Sequence, residues 1–594
     1  MSDNTNRSGG SKLSRRGFLA GAAASTALGL SASTAIAQQH GDLCSQAGVD
    51  CGTVATGADG MVVSVSPEAS EVGARVLRDG GNAIDAAIAV QFALNVAQPH
   101  TSGIGGGGFM LYYDADADEV EVVNSRERAP AGATPNMFLE GGEPIPFDER
   151  HTHGNAVGVP GTASGLRRAA ACYGSRPIEE LIDPAIDLAA NGVPVSGYLA
   201  DRIVEDEWKL NDAAREVFVP DGEPLEEGDP LVQPDLARTL ELVRDRGIRE
   251  VYEGEIAEAI ADTVQDAGGS MTVEDLSRYE ATLDEPVQGS YRGYDVYSMS
   301  PPSSGGLTVI QILNLLEPFE LGENYDARDG TKYHLLAEAM RLAYADRGEY
   351  MGDPEFVEVP SEGLLDPAYV AQRRELISPD ELNPDPQPGN PWAYQSGEAP
   401  SASRPTERAV GQTTHFTVAD AEGNLVSYTT TIEQSFGSGI MVPGYGIMLN
   451  NELTDFDAEP GGANQVQPNK RPLSSMSPTI MAEGGEPFLT VGSPGGPTII
   501  TSVVQAILHH VEYGLDLIDA IDEPSIYAPE SPEITRWEEG IPEEAREEAA
   551  ELGNEWVESV PIGNVNMLRA NDVYEGAADQ VREGLSVGIE ETAD

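Results

Sequence analysis

The chain has 594 residues, 40% of them hydrophobic, and carries 99 Asp plus Glu against 35 Lys plus Arg, for a formal net charge of −64 and a pI near 4.2. That hydrophobic content supports a folded core and argues against charge-driven disorder, while so negative a field excludes nucleic-acid backbones and anionic membranes as partners. Only four lysines occur, Lys12, Lys209, Lys332 and Lys470, and the acidity runs along the whole chain, a pattern expected of adaptation to high salt, where the Debye length shrinks to ~3 Å at 1 M.

The first forty residues read as an address. The stretch SKLSRRGFLAGAAASTALGLSASTAIAQQ sets Arg15 and Arg16 before an apolar run from Gly17 to about Leu30, then a small-x-small site at Ala35-Ile36-Ala37. That order is the one of a twin-arginine signal peptide over residues 1–37, with an uncleaved anchor as the other use of the same run. The mature protein is expected to begin near Gln38 and to be extracellular or bound at the cell surface. No other segment reaches the ~20 apolar residues that span a bilayer. Cys44 and Cys51 are close enough to bridge in an oxidising compartment, which leaves Cys172 over, and without a CxxC pair no structural zinc is expected.

Ser66 followed by Pro67 and Glu68 starts a helix that runs through Val76 and Leu77 and stops at Gly80-Gly81. Asn82 opens a second, whose small residues from Ala83 to Ala97 predict close packing on its neighbours. The segment GIGGGGFMLYYD, Gly103 to Asp114, ends in a strand; it lacks the GK[ST] of a phosphate loop, so its glycines are assigned to close backbone packing. Apolar spacing of three and four predicts a helix over Thr331 to Arg347. Residues 383–412, rich in Pro, Ser and Gly, are expected to form a linker or exposed loop. Short strands follow, then a helix around Thr498 to Tyr513, with no internal repeat.

The stretch THFTVAD…NLVSYTT reads as a hairpin turning at Ala421-Glu422-Gly423. A turn centred on Glu422 sets Thr413 opposite Thr431. Alternation then places Thr414, Phe416 and Val418 with Val426, Tyr428 and Thr430 on one buried face. The other face carries Thr413, His415 and Thr417 with Ser427, Thr429 and Thr431, more hydroxyls than a half-buried strand needs. Thr413 is therefore a candidate nucleophile. A threonine hydroxyl needs an activating base, and the free α-amine of an N-terminal Thr413 can serve once the chain is cut after Gln412.

In order along the chain, GGNAIDAAIA, TSGIGGGGFM, NSRERAP, GVPGTASGL, MSPPSSGG, QTTHFTVADAEGN, TTTIEQSFGSGI, GIMLNNELTDFD, PNKRPLSSMSPTI and VGSPGGPTII resemble the γ-glutamyltransferases over roughly residues 53–590. The resemblance implies an α+β fold of the N-terminal nucleophile hydrolase type, four layers αββα, with stacked antiparallel sheets between helical layers. It implies self-cleavage before Thr413 into a large subunit, 38–412, and a small one, 413–594, held together as a heterodimer. Thr431 carries over as the partner of Thr413.

The resemblance further implies that Arg126, helped by Ser474 and Ser475, holds the α-carboxylate of a γ-glutamyl group. Glu433 and Asp455 would meet its α-ammonium. Backbone N–H groups of Gly495 and Gly496 would form the oxyanion hole. Donors would be γ-glutamyl compounds such as glutathione-like peptides and γ-glutamylcysteine, and acceptors water, amino acids or peptides, with no metal or cofactor. His151, His153, His509 and His510 lack matching carboxylate spacing and are read as structural. The connection between TDFDAEPGGAN and PNKRPLSS is short, as in the branch that lacks an aromatic lid, which admits bulkier donors such as poly-γ-glutamate. A related acylase with the same nucleophile, or a non-enzymatic binding protein, are the alternatives.

Overall fold

A computed structural model describes residues 43–397, 411–529, 534–558 and 560–590. The chain divides into a short leading unit, 1–47, whose described residues form turns, and a large unit, Gly48–Asp594. The proposed signal segment lies outside the described residues, as does the greater part of the 398–412 stretch before the processing site. Among the described residues, no helix is long and apolar enough to cross a membrane. Cys44 and Cys51 are disulfide-bonded and Cys172 is a free, exposed thiol.

Two antiparallel sheets form the body of the large unit. An eight-stranded sheet runs in the order Val49–Gly52, Leu585–Ile589, Gly60–Ser64, Thr413–Asp420, Leu425–Thr431, Gly107–Asp114, Glu119–Asn124 and Thr282–Asp284. A seven-stranded sheet runs Val287–Tyr291, Tyr294–Ser298, Thr479–Glu483, Glu486–Gly492, Asn566–Arg569, Tyr574–Ala578 and Val54–Gly57. Helices Pro67–Arg78 and Ala83–Ala97 cover the first sheet, and helices Gly305–Leu316 and Thr498–Val511 cover the second. The expected four layers are present.

Local chemistry explains the helices that flank the site. Ser66 accepts the Ala69 N–H and Pro67 occupies the first turn, so the helix begins where its donors are already satisfied. Asn82 and Asp85 cap each other reciprocally at the start of Ala83–Ala97, every residue of which is buried. The helix predicted over 331–347 spans Gly330–Tyr350, extended at its start because the Asp329 carboxylate accepts the N–H groups of Thr331 and Lys332.

The hairpin has the expected register, with Thr413 opposite Thr431 and Phe416 opposite Tyr428. Its burial differs from the half-buried pattern, for every residue of both strands is buried. The apolar side packs on helix Ala83–Ala97, and the hydroxyl side packs against the second sheet. There the Thr417 hydroxyl lies 2.5 Å from that of Thr490, and Nδ1 of His415 lies 2.9 Å from the Thr429 hydroxyl. A Cβ at Gly492 would stand 2.2 Å from the His415 ring, so only glycine lets the sheets meet there. Burial alone holds the His415 imidazole down to about 3, a neutral packing group.

One expectation is corrected. The 383–412 stretch is not wholly an exposed loop, because Pro391–Tyr394 forms a helical turn with Pro391 and Trp392 buried. The indole carries enough apolar surface to anchor a Pro-rich connection. Residues 398–410 lie outside the described residues.

Candidate active site

The head of the nucleophile strand is fixed by its register. Thr413 Oγ1 and Thr431 Oγ1 are 3.2 Å apart and almost fully buried. Thr431 Oγ1 also accepts the Glu433 N–H at 2.8 Å and donates to the Gln412 carbonyl at 3.1 Å. A hydroxyl has one proton, so with that proton on the Gln412 oxygen the Thr431 oxygen is left to accept from Thr413. The result is a directed chain from the Thr413 hydroxyl through Thr431 to the carbonyl that precedes Thr413.

Both sides of that peptide are gripped. Gln412 N–H donates to the Glu433 carbonyl at 2.6 Å. The Gln412 side-chain oxygen accepts from the Tyr198 hydroxyl at 2.8 Å and from Arg582 at 2.6 Å, and Arg582 donates again to the Thr413 carbonyl at 2.5 Å. Arg582 lies over the Tyr198 ring at 4.9 Å. Sequence reading missed Tyr198 and Arg582, which stand far from Thr413 in the chain and carry no local signature.

Next to the threonine pair is a pocket lined by Arg126, Glu433, Glu452, Asp455, Ser474 and Ser475, with Thr413, Thr431 and Gly496 at its head. Arg126 is 1% exposed and is held by Glu452, by Asp455 at 2.6 Å, and by the carbonyls of Pro472 and Leu473 at 3.2 Å each. Burial works against its charge, but Glu452, Asp455 and Glu127 outweigh it and hold the guanidinium firmly protonated. Asp455 thus touches Arg126 directly, and Glu452, which sequence reading passed over inside NNELTD, is the stronger partner.

The acids outnumber the cation they surround. Burial, opposed by Arg126 and reinforced by Asp455, pushes the Glu452 carboxyl up to about 7. Glu433 is raised well above the usual carboxylate range by burial, Asp455 and Glu452, and Glu127 by burial and Glu452. One Glu433 oxygen accepts from the Gln434 amide at 2.7 Å while the other is buried without a partner. Glu433 sits at φ 80°, a left-handed conformation that costs of order 1–3 kcal/mol for a residue with a side chain. Such a surplus of buried carboxyl oxygen is chemically suited to an incoming ammonium group.

The predicted serines are present at the wall with their hydroxyls engaged. Ser474 Oγ accepts the Met476 N–H at 3.1 Å and Ser475 Oγ accepts from Arg347 at 2.8 Å, so Arg347 is a second cation behind the wall that sequence reading missed. Gly495 and Gly496 both take positive φ, 132° and 59°, and lead into helix Thr498–Val511, whose first N–H groups bond back to their carbonyls. Gly496 lines the pocket and Gly495 stands one residue behind. The four histidines bond to backbone: His151 to Phe147, His153 to Asn155, His509 to Ala520 and His510 to Leu515. Among the described residues no group of three or more His, Cys, Asp or Glu is placed to hold a metal ion.

Comparison with known proteins agrees with this geometry. The family description Gamma-glutamyltranspeptidase matches residues 69–589. The chain is 54% identical over 544 residues to a glutathione hydrolase proenzyme of Bacillus subtilis (strain 168), covering 90% of this chain and 92% of that one. It is 41% identical over 498 residues to a glutathione hydrolase proenzyme of Escherichia coli (strain K12), covering 81% and 83%. Among solved structures, cephalosporin acylase from Bacillus halodurans superposes with a TM-score of 0.81 at 27% identity, covering 91% of this chain and 97% of that one. Helicobacter pylori γ-glutamyltranspeptidase matches at 41% identity with a TM-score of 0.52, covering 56% and 96%. Matches of this length and identity, running through nearly all of the large unit, make the chain a member of the γ-glutamyltranspeptidase family.

Proposed function

We propose that the protein cuts itself before Thr413 and then transfers γ-glutamyl groups through a threonyl ester to water, amino acids or peptides. The observation that carries this reading is the hydroxyl pair Thr413–Thr431 at the head of a strand, 3.2 Å apart, beside an arginine ringed by carboxylates. In the first reaction Thr413 Oγ attacks the Gln412 carbonyl carbon, the C–N bond breaks, and water cleaves the resulting ester to give a Gln412 carboxylate and a free Thr413 amine. The hydrogen bond from Thr431 to the Gln412 oxygen supports this step by meeting the charge that builds there.

In the second reaction the Thr413 α-amine takes the hydroxyl proton as Oγ attacks the γ-carbonyl of the donor. Backbone N–H groups of Gly495 and Gly496 receive the oxyanion, where loss of one donor costs about 3 kcal/mol. The proton passes to the departing amine, and an acceptor amine or water then takes the γ-glutamyl group. Arg126, with Ser474 and Ser475 at the wall, binds the donor α-carboxylate, while Glu433, Glu452 and Asp455 bind its α-ammonium. Donors are glutathione-like peptides and other γ-glutamyl compounds, in keeping with relatives named glutathione hydrolase.

Relatives at 36% identity are named acylases, and an acylase for a diacid amide would share the nucleophile. It would have no use for three carboxyls around the α-position, and those carboxyls favour the γ-glutamyl reading. Residues 1–37 are proposed as a twin-arginine export signal, and the subunits 38–412 and 413–594 as a heterodimer acting outside the cytoplasmic membrane at high salt. The test is Thr413→Ala. It should run as one band on a denaturing gel and release no amine from a γ-glutamyl anilide; two bands from that variant would refute the proposal.

A further inference from the structure

Arg347, in helix Gly330–Tyr350, is a cation only 7% exposed in a chain where acids outnumber bases nearly three to one. It nevertheless makes no ion pair among the described residues, and the acid beside it in sequence, Asp346, is taken by Arg373 at 3.2 Å. A charge withdrawn from water must be hydrogen-bonded. Arg347 meets that need with two neutral hydroxyls, Nε donating to Ser304 Oγ at 2.7 Å and Nη2 to Ser475 Oγ at 2.8 Å. Its guanidinium also lies 5.6 Å from the centre of the Tyr344 ring, and the Tyr344 hydroxyl donates to the Pro497 carbonyl next to Gly496. The same face of the helix is thus pinned to the serine wall and to the glycine turn at the head of the pocket.

Both serines carry this contact towards the pocket. Ser304 donates twice to the Ser474 carbonyl, from its N–H at 2.9 Å and its hydroxyl at 2.7 Å, which fixes the backbone just before Ser475. Ser475 lines the pocket. Its oxygen accepts from Arg347, so its single proton is left to be donated, and no acceptor takes it among the described residues. The charge balance of the pocket points the same way. Arg126 is already held by Glu452 and Asp455, and Glu433 adds a third carboxyl to the lining. An arriving carboxylate therefore meets one arginine whose charge is answered and three acids. Arg347, one hydroxyl behind the lining, is the positive charge that no acid has claimed.

We propose that Arg347 is a positioning residue that aims the Ser475 hydroxyl at the α-carboxylate of the substrate, and so sets selectivity for molecules that carry this group over those that carry the amine alone. This rests on the γ-glutamyl transfer reading. A hydroxyl whose oxygen is bonded to a cation is polarised and donates more strongly than one in water. The guanidinium fork matters as well as the charge. One nitrogen holds the Ser474 carbonyl through Ser304 while another holds Ser475, and the point charge of a lysine cannot reproduce that paired geometry.

The experiment measures competitive inhibition of γ-glutamyl-4-nitroanilide hydrolysis, at fixed salt, by L-glutamate and by 4-aminobutanoate, which is glutamate without its α-carboxylate. The preference for L-glutamate, as a ratio of inhibition constants, should fall about tenfold in Arg347→Gln, the loss expected for a hydrogen bond that draws on a charge. Adding Ser475→Ala to Arg347→Gln should lower the ratio by less than about threefold more, because the two residues act as one unit. An unchanged ratio in Arg347→Gln, an equal weakening of both inhibitors, or fully multiplicative losses in the double variant would overturn the proposal. Self-cleavage into two bands reports that each variant has folded. Should Arg347→Gln fail to cleave, Arg347→Lys is compared in its place, with a fall of about threefold expected and an unchanged ratio overturning the proposal. No nitroaniline released by the unsubstituted enzyme would instead sink the transfer reading, and this inference with it.

Discussion

Thr431 donates a hydrogen bond to the carbonyl of Gln412 at 3.1 Å while facing the Thr413 hydroxyl at 3.2 Å. One side chain therefore touches both the attacking oxygen and the carbonyl that the attack would convert to an oxyanion. Replacement by valine, similar in volume but without the hydroxyl, should slow self-cleavage and amine release together, each by roughly 100-fold if the lost hydrogen bond is worth about 3 kcal/mol in the transition state. A time course on denaturing gels, with a nitroanilide assay beside it, reads both.

Arg582 connects to the same peptide from the C-terminal end of the chain, through the Gln412 amide and the Thr413 carbonyl. Arg582→Gln should retard the appearance of two bands, because hydrogen bonds from a charged donor contribute about 1.5–3 kcal/mol each. Ordinary processing kinetics in that variant would show that the grip is only structural.

Arg126 neutralises a buried group of acids, and removing it strands them. Arg126→Gln should lower the unfolding free energy by about 3–5 kcal/mol, measured by urea denaturation, and raise the donor KM steeply. Glu452→Gln keeps the shape and removes a charge that is only half held at neutral pH. It should cost far less stability.

The raised carboxyls set a pH dependence whose sign can be worked out. Glu452 has a folded value of about 7, above its ordinary 4.5, chiefly through burial. Its proton is bound more tightly in the folded state, so this contribution to stability is complete below about pH 4.5 and is lost as pH rises through 7. Glu433 and Glu127 shift in the same direction. An arriving α-ammonium needs these groups ionised, so the donor KM should fall between about pH 6 and 8, and Glu452→Gln should flatten that slope. A KM independent of pH in the unsubstituted enzyme would contradict the assignment.

Salt offers a separate measurement. With a formal charge of −64, activity and melting temperature should both rise from dilute buffer towards molar salt as like-charge repulsion is screened. Full activity in dilute buffer would count against adaptation to high salt.

Much of the site was legible because its chemistry is local. The pairing of Thr413 with Thr431 follows from a two-residue period and a turn at Glu422, and the structure has that register. Arg126, Glu433, Asp455, Ser474, Ser475 and Gly496 enter through the family resemblance and not through local chemistry, and the fold gathers them around one pocket. What sequence reading missed has a common cause. Glu452 and Arg347 act through partners in distant segments, Tyr198 meets Gln412 across 214 residues, and Arg582 meets it across 170. No periodicity spans such separations.

By itself, then, the sequence determined the elements and the hairpin register, because hydrogen-bond ladders and side-chain alternation are set by near neighbours. It also determined the charge of the whole molecule. Only the tertiary structure decided that the hydroxyl face of the hairpin is buried against a second sheet and that Arg126 is shared between Glu452 and Asp455. Those outcomes depend on how sheets and helices pack, and burial decides which charges must find a partner.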